Sequence, residues 1–144
     1  MSRPSLADVA ETAVVEGCVG ETLAAIQATE QLAVTIDAEV TKALRRIARD
    51  EARHAELAWT FVRWACDVGG AEVRDRVRRV FSQSLQTQPQ PTIPGAADGA
   101  AAWHEHGRLS RSELSAIRRL AKREVIAPAV ELLLGATSSA NARA

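Results

Sequence analysis

Ile47-Ala-Arg-Asp-Glu51-Ala-Arg-His54-Ala-Glu-Leu-Ala-Trp59 takes nine of its thirteen residues from alanine, arginine, glutamate and leucine, which lose least on entering a helix. Followed at heptad-like intervals, the surrounding segment presents Leu44, Ile47, Glu51, His54, Ala58, Phe61 and Ala65 on one face. That face is apolar except for one carboxylate and one imidazole in adjacent turns. Glu51 and His54 stand at i and i+3, so both project from the same side. A buried carboxylate without a partner costs several kcal/mol, roughly 3–5 for a broken pair, so such a group is expected to be paired, protonated or bound to a cation.

Working outward, Asp37 is placed to cap this helix, which is expected to run to about Val68 and stop at Gly69-Gly70. Upstream, Ser5 and Asp8 form a capping-box pattern that opens a first helix over about Leu6 to Val34. Only Thr35-Ile36-Asp37 separates the two, so they are expected to pair as an antiparallel hairpin. A shorter third helix is expected over Glu72 to Leu85. Its arginines, Arg74, Arg76, Arg78 and Arg79, lack aromatic stacking partners and read as a solvated face. Residues 86–109, rich in Gln, Pro, Gly and Ala, read as a linker. Ser110 and Glu113 repeat the capping-box pattern ahead of a last helix over 110–134, in which Pro128 is expected to make a kink or a break. Residues 135–144 read as a frayed, disordered tail. The domain reading is therefore a helical unit over 5–85, a linker, a C-terminal helix and a tail, all-α throughout.

Bulk properties narrow the function. The 144 residues suffice for one ordinary domain, and 18 basic side chains balance 18 acidic ones. That balance exerts no general pull on nucleic acid or an anionic membrane, and neither is expected as a partner. No apolar run approaches the ~20 residues of a membrane span. No signal peptide is read at the start, and a reducing cytoplasm is the expected compartment. Cys18 and Cys66 lie far apart outside any CxxC and read as buried structural thiols. His104-Glu105-His106 reads as an incidental loop cluster, and Trp59 and Trp64 as packing residues.

Helix one carries acidic intrusions of its own. Glu16 and Glu21 flank an apolar stripe of Val14, Val15, Cys18, Val19, Leu23 and Ile26, on opposite sides in an α-helix. Gly17 and Gly20 interrupt the same turns, each at a cost of about 1 kcal/mol, and point to a close approach there. Carboxylates with imidazole suit iron or manganese. Bundle di-metal sites combine one Glu from each of two helices with one E-x-x-H from each of the other two. This chain holds one of each, half of such a site. Two copies about a two-fold axis complete it, and a two-helix hairpin needs covering in any case. Folding the hairpin symmetrically about Ile36 sets Glu21 level with Glu51; an asymmetric turn sets Glu16 level instead.

Glu16-Gly-Cys-Val-Gly-Glu21-Thr, followed by Ile47 to Trp59, resembles the second half of bacterial ferritin-like proteins of the rubrerythrin and bacterioferritin superfamily over about residues 10–66. The stretch from Gly107-Arg-Leu-Ser110 to Glu124-Val-Ile-Ala-Pro128 is similar to the tail of such domains. The resemblance implies a ferritin-like hairpin completed to a four-helix bundle by homodimerisation. It also implies a di-iron site held by Glu16, Glu51 and His54, with Glu21 as an additional ligand. That site would react with dioxygen or peroxide in ferroxidase, peroxidase or oxygenase chemistry. The first Glu and first E-x-x-H of the family are absent here, so the implied site lies at a subunit interface. The alternative is a metal-free ferritin-like scaffold that acts as a structural or interaction module.

Overall fold

The computed structural model describes residues 3–87 and 104–135, and among them every regular element is helical. The first rod is made of α1 (Leu6–Thr12), a wide-turned π-helix π1 (Ala13–Glu21) and α2 (Thr22–Val34), end to end. Ser5 and Asp8 close the expected capping box at its start. Asp37 then accepts from the amides of Glu39 and Val40 and opens α3 (Ala38–Gln86).

Gly70 divides α3. Its φ of 63° and ψ of −149° suit glycine, and the chain turns back there. The two arms, 38–69 and 71–86, lie side by side, since Trp59 stacks on Phe81 with ring centroids 5.3 Å apart. The glycine pair thus ends one helix and begins the next, as the sequence leads one to expect, with no intervening loop.

The arm 38–69 runs antiparallel to the first rod. Gly17 meets Ala58, Trp59 Nε1 donates to Thr22 Oγ1 at 3.2 Å, and Gly69 faces Leu6. The arm 71–86 runs alongside the first rod, tied by Arg76 to Glu11 at 2.6 Å and Asp8 at 3.5 Å. The arginine segment is therefore only partly a solvated face.

The last rod consists of α4 (Arg111–Ala121), π2 (Lys122–Ile126) and α5 (Ala127–Gly135). Pro128 does not end it. The turn before the proline widens, with Ala127 N–H donating to Lys122 O, which eases the clash of the ring with the preceding carbonyls. Part of the expected linker is firmly seated: Glu105 O accepts from the amides of Ile36 and Asp37, and Gly107 O from Gln31 Nε2 at 2.9 Å. The rest of that linker, 88–103, and all but the first residue of the tail lie outside the described residues.

Four helical stretches of one chain consequently share one core. Val14, Cys18, Val62, Cys66, Val77, Phe81 and Ile126 are fully buried within it. On its inner side the hairpin is covered by 71–86 and the last rod, so that side does not call for a second copy.

Candidate metal centre

Glu21, Glu51 and His54 converge on the outer side of the hairpin, with one ligand atom from each within 4.8 Å of the others. His54 Nδ1 lies 3.7 Å from Glu51 Oε2 and 3.9 Å from Glu21 Oε2. The two glutamates come from antiparallel helices and meet because Gly17 lets the rods close up: a Cβ at Gly17 would overlap that of Ala58. A groove of about 590 Å³ runs over this face, with Glu16, Glu21, His54 and Phe61 along its walls.

The π-helical stretch explains how Glu16 and Glu21 come to the same groove. In an α-helix a separation of five residues is about 140° around the axis, which would set them on opposite flanks. Bonding of i to i+5 widens the turn, so residues five apart fall on nearly the same side. Glu21 joins the cluster with Glu51 and His54. Glu16 sits a turn away, exposed, close enough for its charge to act on Glu21.

The electrostatics are those of crowded acids. The Glu21 carboxyl is pushed above its ordinary value, first by a hydrogen bond shared with Glu51, then by partial burial and the neighbouring negative charges. No lysine or arginine among the described residues reaches Glu21 or Glu51; His54 is their only ion-pair neighbour. Two carboxylates and an imidazole, left without a fixed counter-charge and open on one side, fit a divalent cation of the harder first-row type.

The face drawn from the sequence is displaced. Ile47 is exposed, the His54 side chain is 62 % accessible and that of Glu51 28 %. Leu44 and Ala65 of that face are buried and Ala58 and Phe61 pack at its edge, but the buried stripe also takes in Ala55, Val62 and Cys66. Glu51 and His54 stand on its rim, where water meets part of the cost of their charge, so full burial does not force a cation upon them. Trp64, expected to pack, is 52 % exposed and only leans on Phe61 at 5.7 Å.

The histidine pair of the last loop is structural. His104 Nε2 lies 2.9 Å from Glu113 Oε2, and His106 Nδ1 3.4 Å from Asp37 Oδ2. Comparisons with protein-family models, with curated proteins and with solved structures find no match for this chain.

Proposed function

We propose that the outer face of the hairpin is a metal site in a ferritin-like protein. Glu21, Glu51 and His54 hold an iron or manganese ion, and Glu16 stands in the same groove. A second copy covers this face and brings its own set, giving a dinuclear carboxylate centre at a homodimer interface. The observation that carries the reading is the convergence of Glu21, Glu51 and His54 with no lysine or arginine among the described residues to neutralise them. The wide-turned helix beside them supports it, because such distortions collect at functional sites. When bound, the metal supplies redox chemistry toward dioxygen or peroxide of the ferroxidase or oxidase kind. The chain's own part is to fix two carboxylates on rods locked together at Gly17 and Ala58, and to offer an imidazole from the next turn.

The exposed apolar seam supports the second copy. Ile47, Glu51, His54, Leu57, Phe61, Trp64 and Val68 follow one another along this arm at three- and four-residue steps, and Val9 stands across the groove. A seam of this spacing matches another helical pair. The same seam favours a second reading, a metal-free module that docks a partner.

Metal content per subunit, measured after purification without chelator, and mass in solution decide between the two. One iron or manganese per subunit in a dimer supports the dinuclear centre. A metal-free monomer, even after anaerobic loading with ferrous iron, sinks it and leaves the docking module.

A further inference from the structure

A cavity of about 390 Å³ lies between the end of α3 and the last rod, bordered by Leu23 of the first rod. Its floor is aliphatic, from Leu23, Leu85 and Ala127. One wall is cationic, because Arg118, Arg119, Lys122 and Arg123 recur at one- and four-residue steps and so fall on one side of the rod. Among the described residues Arg118 and Arg119 have no carboxylate in ion-pair reach, and only Arg123 has one, Glu124 at 2.6 Å. Lys122 is drawn down to the rim: its Nζ donates to Ser84 O at 2.7 Å and Thr87 O at 2.8 Å, two of its three donors. Burial, with Arg118 close by, lowers the Lys122 pKa.

The floor does not stop at this cavity. Leu23 and Arg118 also border a second hollow of about 380 Å³, which continues along α2 past Ala24, Ala28, Leu44 and Ile47. From Leu23 to Gln31 this track is about 12 Å long at 1.5 Å per residue. It is cationic at one end and predominantly aliphatic along the rest.

From this layout we infer a binding site for an amphipathic organic anion of the aliphatic carboxylate class. Its head group sits against Arg118, Arg119 and Lys122, and its chain lies over Leu23 toward Leu44. Guanidinium groups suit a carboxylate because they can donate two parallel hydrogen bonds. The chain supplies the apolar contact that a bare inorganic anion lacks. The head-group end shares no residue with the acidic cluster or with the exposed seam; only Ile47, at the far end of the track, also lies on that seam.

Titration of the full chain with decanoate below its aggregation concentration, followed by calorimetry, tests this. One saturable site is expected, with acetate and decylammonium each at least tenfold weaker. Arg118→Glu combined with Arg119→Glu is expected to weaken decanoate at least tenfold while leaving the helical circular dichroism intact, since both side chains are exposed. Ala24→Phe, which narrows the track without touching the cations, is expected to shift preference toward hexanoate. Absence of saturable binding overturns the inference. Equal binding of acetate removes the role of the chain, equal binding of decylammonium removes that of the cations, and either result overturns it too. Wild-type affinity in the charge-reversed variant has the same consequence.

Discussion

The carboxylates of Glu21 and Glu51, carried on antiparallel helices, bring oxygens within 4.8 Å of each other, and no lysine or arginine stands beside them among the described residues. A pair of like charges held by the fold is a small cost in the absence of metal and an asset in its presence. The raised Glu21 value means that its ionised form weakens the native state at neutral pH. Glu21→Gln is therefore expected to raise the midpoint of thermal unfolding in chelator slightly, by about 1–2 °C for a like-charge contact in a chain of this size. The same substitution is expected to abolish metal uptake, as is Glu51→Ala. Calorimetry in chelator and elemental analysis after loading measure the two effects. A variant that keeps full metal content refutes the ligand role.

Gly17 carries the close contact of the rods. In an ordinary helix, replacing glycine by alanine gains about 1 kcal/mol. Here the new methyl would overlap that of Ala58, so Gly17→Ala is expected to cost about 1–3 kcal/mol as an overpacked contact. Adding Ala58→Gly should recover part of that loss. Urea denaturation of the two single variants and the double variant measures the coupling, and additive effects would show that the contact is not what fixes glycine at this position.

The parts of this fold that were legible from sequence are those set by neighbours in the chain. Ser5 with Asp8, Asp37, and Ser110 with Glu113 mark helix starts because each side chain bonds a backbone amide two or three residues on. Gly70 marks a stop because its backbone lies at positive φ. What was not legible depends on packing. The wide turns of π1 set Glu16 and Glu21 on one groove where α-helical spacing divides them, and only Gly17 and Gly20 hint at it. The buried stripe of α3 passes through Ala55 and Val62, not His54 and Phe61, because Phe81 and Ile126 come from elements remote in sequence. The cationic cavity was missed for the same reason. Arg118-Arg119 and Lys122-Arg123 are visible as a pattern, but Leu23 and Leu85 complete it only after folding.

Leu57 and Trp64 are 69 % and 52 % exposed on the seam beside the acidic cluster. A charge at either position leaves the core of the single chain untouched but would be buried between two copies. Leu57→Glu with Trp64→Glu is expected to turn the proposed dimer into a monomer with unchanged helical content and to lower metal uptake. Light scattering after size-exclusion chromatography reads the mass. A variant that stays dimeric would place the interface elsewhere.

Cys18 and Cys66 are both fully buried, and burial pushes the Cys18 thiol up to about 12 and raises that of Cys66. The thiolate is the reactive form, so neither is expected to react with a thiol reagent in the native protein at neutral pH. Both should react once urea unfolds the chain. Fast labelling of a thiol under native conditions would mean that the core around Val14 and Val62 opens far more readily than its packing implies.

Glu113 is held down to about 2, first by His104 at 2.9 Å and then by the Ser110 amide and hydroxyl of its capping box. A carboxyl lowered on folding stabilises the native state above its unfolded value, near 4.5, and that contribution is lost as the pH falls toward 2. The contacts it supports join α4 to the turn that Glu105 and Gly107 pin against Thr35, Ile36 and Gln31. Acid is therefore expected to loosen the start of the last rod. Amide exchange of residues 111–121 should speed up between pH 4.5 and 2 more than that of 55–66 in the core arm. Ser110→Ala removes the cap at a cost of about 1 kcal/mol and should give faster exchange in the same segment already at neutral pH. Exchange that rises equally in both segments would mean that the last rod opens only with the whole bundle.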